Sequence, residues 1–535
     1  MSSTSQNSEP EAPEQRITPR PRFGLRTAWL ALWAVLVAGS GYGLLLLTAP
    51  ETPGPPPVLG AIQFTATGTP QAHDHFVRGV LWMHNFEYGG ARDEFVKART
   101  LDPEFVLAYW GEALSYNQPV WDSQDAYAGR EALRRLASTP EQRQAKARTD
   151  RERLYLAAAE ALYAPGVKRE RDTKFADAMR RVHAAYPDDD EATVFYALAI
   201  LGTVHEEKGT EKYERAAALL EPVFKRNYEH PGAAHYLLHA YDHPDRAERG
   251  LPAARAYAKI APASVHALHM PSHIFMALGL WAEAAKSNEA ALAAANAKRH
   301  DAFHELHWET YAYLQQGRFK EALKNLETFR AAAKNAGPSL RVLFFAVRNA
   351  YLIETRRWDS EVAMWPVDLS GIRNPAIQAG DLYVRSLVAL NTGRVAEADA
   401  AVTQLKAYRE SAYKMLDEDD SEAPWYEQVS EATVLDLDIE ALKLEGQVRI
   451  KQGEVEAGLA LLDKAATLED RMAEEYGPPG MSQSAHEAAG EVLLALGRTK
   501  AARHSFERAL ILTPRRSRAR LGAWKAPIAT DDIGA

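Results

Sequence analysis

The sequence predicts an all-α protein: a solenoid of stacked helix hairpins behind one N-terminal transmembrane helix. Three observations carry that expectation. Beyond residue 60, apolar residues recur with helical rather than alternating period, and no strand-like run of useful length interrupts them. A short grammar (a turn-closing glycine, then alanine, aromatic, alanine) returns at a fixed spacing. Ten of the 17 histidines fall between His230 and His307, at spacings that share a helix face.

The chain begins with a polar, proline-rich stretch, residues 1–26, that carries Arg16, Arg20, Arg22 and Arg26. Residues 27–49, TAWLALWAVLVAGSGYGLLLLTA, follow without a charge. About 20 apolar residues span a bilayer core of roughly 30 Å. The preceding arginines predict a cytoplasmic tail, which places the remainder across the membrane. The expected location is a bacterial inner membrane, single-pass, with the C-terminal solenoid in the periplasm. A cleaved signal peptide is the alternative, disfavoured by the length of the run and by Pro50 directly after it. Residues 50–70 read as a proline-rich linker, because consecutive prolines favour polyproline II and block helix.

From 71 to 520 the hairpin grammar takes over. Its clearest copy is LLALGRTKAARHSFERALILTP, where Gly497 closes a turn, Ala502, Phe506 and Ala509 fill a seam, and Pro514 stops the second helix. GGARDEFVKARTLDPEF repeats it with Ala91, Phe95, Ala98 and Pro103. MALGLWAEAAKSNEAAL, LQQGRFKEALKNLETF and LNTGRVAEADAAVTQL align on Ala284, Ala322 and Ala398, spaced by 38 residues or twice that. ETRRWDSEVAMW is a degenerate copy between the last two. These residues resemble the tetratricopeptide repeat family, whose period is about 34. The resemblance implies antiparallel helix pairs wound into a superhelix, with first helices lining a concave groove; such pairs stack because none buries its apolar face alone. It is weakest at 120–190 and 405–440. Residues 409–425 read as an acidic loop, KRERDTK (168–174) as a solvated helix start, TPRRSRARLGAWKAP (513–527) as a capping element, and 521–535 as a tail.

The histidine-rich repeats span about 228–312. His235 and His239 lie in HPGAAHYLLH, His266, His269 and His273 in HALHMPSH, and His304 and His307 in HDAFHELH. The 38-residue period relates His235 to His273, His266 to His304, and His269 to His307. Equivalent positions on neighbouring first helices lie about 8–10 Å apart, so facing imidazoles can share a metal about 2.0–2.1 Å from each nitrogen. These seven are the candidate ligands, with Asp242, Glu305 and Glu309 as nearby carboxylates and His230, His243 and His300 as weaker candidates. With no cysteine in the chain, zinc, copper(II) or iron suits the donor set better than a soft copper(I) carrier. A single helical histidine is usually a packing residue. A hydrogen-bonded network, or an organic or peptide ligand in the groove, is the competing account of the cluster. HPGAAHYLLHAYDHP and HALHMPSHIF resemble a histidine-rich bacterial, membrane-anchored subgroup of these repeat proteins.

His73, His75 and His84 form a smaller set beside Trp82, followed by Trp110 and Trp121; they read as repeat core, or as an end of the superhelix brought round to close the groove. No HExxH, Walker loop, dinucleotide fingerprint or GxSxG elbow is present, and no residue is singled out as catalytic. A net charge of −9 without a basic run argues against nucleic acid. The expected function is a membrane-anchored metal-binding protein, with a His-ligated metalloenzyme as one form of it. The alternative is a non-catalytic periplasmic scaffold that holds a peptide or partner helix.

Overall fold

Helix hairpins here are closed by single residues in the left-handed backbone region. Gly279, Gly317, Gly393, Gly453 and Gly497 have φ between 63° and 96° and follow a helix end by two residues. Only glycine adopts that conformation without a Cβ clash, which accounts for the recurrent turn glycine. Phe86 occupies the same turn position in the first hairpin, with φ 55°. Strain at a bulky aromatic marks that turn as unusual.

The computed structural model describes residues 56–204, 210–298, 302–416, 424, 426–472, 477–478 and 483–526. Its first helices are α1 (Pro70–His84), α2 (Tyr88–Leu101), α3 (Val106–Leu114), α4 (Ala126–Leu136), α5 (Pro140–Lys146), α6 (Asp150–Leu162), α7 (Lys168–Ala185), α8 (Asp190–Leu201) and α9 (Thr210–Arg226). The histidine-rich region contributes α10 (Pro231–Tyr241), α11 (Ala247–Ile260), α12 (Val265–His269), α13 (Pro271–Ala277), α14 (Trp281–Lys298) and α15 (Phe303–Gln315). The chain continues through α16 (Phe319–Ala333), α17 (Pro338–Thr355), α18 (Pro375–Asn391), α19 (Val395–Met415), α20 (Glu431–Lys451) and α21 (Val455–Glu469). It ends in α22 (Ala485–Ala495), α23 (Thr499–Leu512) and α24 (Ser517–Lys525). Consecutive helices pack on one another along the chain, as a helical-hairpin solenoid requires. The only strands among the described residues are β1 (Asn117–Gln118) and β2 (Ser123–Gln124), a two-residue antiparallel pair.

Alanine and phenylalanine of the grammar fill the seams as expected. Ala91, Phe95, Ala98, Ala284, Ala322, Ala398, Ala502, Phe506 and Ala509 are all buried. The degenerate copy forms only a 3-10 turn, Glu361–Met364, where a second helix would stand.

Three expectations change. The linker ends early: Leu59 and Phe64 are buried, and Phe64 sits edge-on to Phe76 at 4.9 Å. Apolar residues in an extended segment have found a groove between helices, and the Ala61 N–H donates to the Glu229 carbonyl at 3.0 Å. KRERDTK is not wholly solvated, since Arg171 and Asp172 are buried. Residues 409–415 of the expected acidic loop continue α19. The C-terminal element does cap, but through a buried charge: Arg516 pairs with Glu354 and Glu487 at 2.8 Å each and donates to Tyr311 Oη at 2.7 Å. No helix among the described residues is long and apolar enough to cross a membrane. The expected span, 27–49, lies outside the described residues.

Candidate metal centre

Six of the seven candidate histidines gather into two triads. In the first, His235 Nε2 lies 3.0 Å from His239 Nε2 and 3.0 Å from His266 Nε2. In the second, His269 Nε2 lies 3.1 Å from His273 Nε2 and 3.1 Å from His304 Nε2. His307 belongs to neither.

The construction is the same twice. A pair at i and i+4 meets a first-turn histidine of the next wall helix; His235 and His239 share α10, whereas His269 ends α12 and His273 lies on α13. Helix starts advance by 34 residues from Pro231 to Val265 and by 38 from Val265 to Phe303. The contacts His235–His266 and His269–His304 are separated by 31 and 35, each three residues short of the repeat. Neighbouring helices are therefore staggered by about one turn. That corrects the expected pairings: His235 with His273, His266 with His304, and His269 with His307 are divided between or left outside the triads. Position i+4 from His304 is Trp308, whose ring stacks on His273 at 4.1 Å.

Where the protons sit decides what each cluster can do. His269 Nδ1 is 2.7 Å from Asn288 Oδ1, and Asn288 Nδ2 donates to the Ala284 carbonyl, which fixes that amide's orientation. His273 Nδ1 is 2.6 Å from Asp242 Oδ2. Both oxygens accept only, so both imidazoles carry their proton on Nδ1. Their Nε2 lone pairs then face each other at 3.1 Å, and His304 can donate to just one of them. A cation in the centre satisfies all three. In the first triad, His235 donates from Nδ1 to the His84 carbonyl at 2.6 Å, so its Nε2 is likewise a lone pair aimed at the centre. Outer groups that fix ligand tautomers in this way are characteristic of metal-bound imidazoles.

Burial favours the neutral form of six of the seven candidate rings, His235, His239, His266, His269, His304 and His307. It lowers His239 and His304 to about 3 and His307 to about 4, and drives His235, His266 and His269 well below 6.5, with neighbouring imidazoles adding to the effect in all but His307. Neutral imidazole is the metal-binding form. His235 and His269 are buried, whereas His304 keeps an exposed edge, so each triad is rooted in the protein and reachable from one side.

The first hairpin turn forms a wall of the first triad. His84 supplies the carbonyl for His235. Asn85 accepts from Tyr257 Oη at 2.8 Å. The Phe86 ring lies 4.3 Å from His235 and stacks at 5.5 Å on both His239 and His266. Glu87 accepts from Ser264 Oγ and the Val265 N–H at the start of α12. The superhelix therefore does bring its first repeat round to the histidines. His73 and His75 stay outside: one is 2.8 Å from the Phe64 carbonyl, the other 2.7 Å from Glu94.

A third cluster, His84–Glu191–His230, went unread in the sequence, although its donors also lie within ligand distance of one another. Gly232 makes room for it, since a Cβ there would fall 2.4 Å from His84 Nδ1. Here both imidazole N–H groups are turned toward Glu191, and His84 completes a hydrogen bond to it whereas His230 does not. His230 Nδ1 accepts from the Ala233 N–H, which leaves its proton on Nε2, 3.2 Å from Glu191 Oε1. His84 Nε2 donates to Glu191 Oε2 at 2.8 Å and its Nδ1 accepts from Tyr236 Oη at 2.9 Å. Burial alone would raise Glu191; the two histidines outweigh it and hold the carboxyl at about 2. No imidazole lone pair is left for a metal. Of the carboxylates expected near the site, only Asp242 touches a triad imidazole; Glu309 accepts from Asn325 instead.

No family model and no curated protein matches the chain. Solved structures that resemble it are tetratricopeptide-type solenoids. Cut9–Hcn1 of the APC/C matches with TM-score 0.32 and 13% identity, over 94% of this chain and 83% of that one. Human IFIT1, as a monomeric mutant with Gppp-AAAA, gives TM-score 0.37 and 13% identity over 85% and 99%. Yeast Tom70 gives 0.34 and 13% over 85% and 95%.

Proposed function

We propose that this protein binds transition metal through two three-histidine centres built between its wall helices. The observation that carries the reading is the second triad, where His269 and His273 present facing lone pairs because Asn288 and Asp242 hold their protons. In each triad two of the three Nε2 pairs lie 3.0–3.1 Å apart, close enough for His235, His239 and His266, or His269, His273 and His304, to hold one ion together. Three protein ligands would leave a coordination position open, as in a catalytic rather than a structural site. The donor set is imidazole throughout, which suits zinc, copper(II) or iron. The metals supply Lewis acidity or redox capacity; the protein holds the imidazoles neutral and oriented. The apolar run at 27–49 and its flanking arginines support a membrane-anchored placement with this site on the opposite side from the N-terminus.

The solenoid wall is also a surface suited to protein–protein interaction. Metal binding is the reading favoured by the interior of that wall, because a peptide groove does not need tautomer-fixed imidazoles pointed at one another. The test is the metal content of the untagged chain after loading with zinc, copper or iron. We expect two ions per chain, and one after His269→Ala. An unmutated chain that retains none of the three metals would falsify the reading.

A further inference from the structure

The two triads share α12. His266 of the first and His269 of the second stand three residues apart on that five-residue helix, on neighbouring positions of one face, with ring centroids 6.4 Å apart. His235 and His239 approach from α10 on one side, and His273 and His304 from α13 and α15 on the other. This helix contributes one imidazole to each of the two converging sets.

Charge sharpens the picture. Six neutral imidazoles bring no negative charge to two cations. Among the described residues, the carboxylate seen on a triad imidazole is Asp242, behind His273. Glu191 lies further back, joined through His84 and already committed to two histidines. The walls are aromatic: Phe86 covers the first triad, with Trp121 5.6 Å from His266, and Trp308 packs on all three rings of the second. Two divalent ions in such surroundings would keep a net positive charge that Asp242 alone does not cancel, and uncompensated charge at a partly buried site is costly.

Resting on the metal-binding reading above, we infer that the two triads form one dinuclear centre that takes a small anion across its two ions. The anion would supply the missing negative charge and fill the positions that three histidines leave open at each ion. The largely aromatic walls admit a compact ligand. Two-metal sites that bind an oxygen-centred ligand between their ions work on this plan.

The experiment loads the full chain with copper(II), counts bound copper, integrates the electron paramagnetic resonance signal, and titrates sodium azide. Expected are two copper ions per chain, a signal well below that of two isolated ions because bridged spins couple, and saturation at one azide per copper pair. His304→Ala, which leaves the first triad whole, should bind one copper with its full signal and lose the one-per-pair azide stoichiometry. Two fully visible copper ions, or two azides per chain bound independently, would overturn the dinuclear centre while leaving two separate metal sites standing. A single copper per unmutated chain would overturn it as well. No copper at all would remove the metal reading on which it rests.

Discussion

The second triad and the His84–Glu191–His230 cluster bring similar donors to similar separations and reach opposite outcomes. Around Glu191, two imidazole N–H groups point at a carboxylate, and their remaining nitrogens accept from the Ala233 N–H and Tyr236 Oη. Around His269 the outward nitrogens donate, so the inward ones are bare. One cluster keeps no imidazole lone pair for a metal, whereas the other turns lone pairs on one another that a cation would satisfy. The difference lies in the groups one bond further out, not in the residues a count of ligands would name.

The largest effect that would break this comparison is Glu191→Gln. Removing the charge from a buried carboxylate that hydrogen-bonds His84 and lies 3.2 Å from His230 should cost about 3–5 kcal/mol, the range for disrupting a buried ionic network. Urea unfolding of the metal-free chain reads it. The metal count should remain two per chain if Glu191 is structural. The carboxyl titrates at about 2 in the fold, below its ordinary 4.5. Its stabilisation is therefore fully present above pH 4.5 and is lost as pH falls through 2. The glutamine variant should lack that component of the acid dependence. A variant as stable as the parent but unable to hold metal would reverse the two roles.

Next in size is Asp242→Asn. The amide can still accept from His273 Nδ1, but it can also turn its NH2 group inward and release the tautomer. Loss of such an outer partner typically costs 10–100-fold in metal affinity. Competition against a chromophoric chelator should show that loss at one of the two ions, with the other unchanged. Equal weakening of both would show that Asp242 acts through the charge of the whole centre.

This contrast also explains what the sequence could reveal. Helical spacing picked out the six histidines that converge, because His235/His239 and His269/His273 are i, i+4 pairs and His266 and His304 open their helices. It misassigned their partners, because a fixed 38-residue period conceals both the shorter first step and the one-turn stagger between helices. His307 shares the composition of the cluster and misses it by one residue, the position after it being Trp308. Asn288, Glu191 and Phe86 carried no ligand signal. Their roles depend on contacts from 19 to more than 100 residues away in sequence, and only the wound superhelix makes them neighbours. Phe86 left one trace, an aromatic at a turn position that is glycine in the clearer copies.

That turn supplies the smallest effect and a second comparison, between hairpins that serve the site and hairpins that do not. At Gly393, φ is 84° and an added Cβ would meet nothing within 4 Å. Gly393→Ala should therefore cost only the left-handed backbone penalty, about 1–2 kcal/mol, with metal content unchanged. Phe86 already bears a penalty of that kind at φ 55°, while its ring covers three imidazoles. If the strain is retained for the site, Phe86→Gly should relax the backbone yet loosen the first triad, so metal should exchange faster from one of the two centres. Unchanged exchange would make Phe86 an ordinary core residue in an awkward turn.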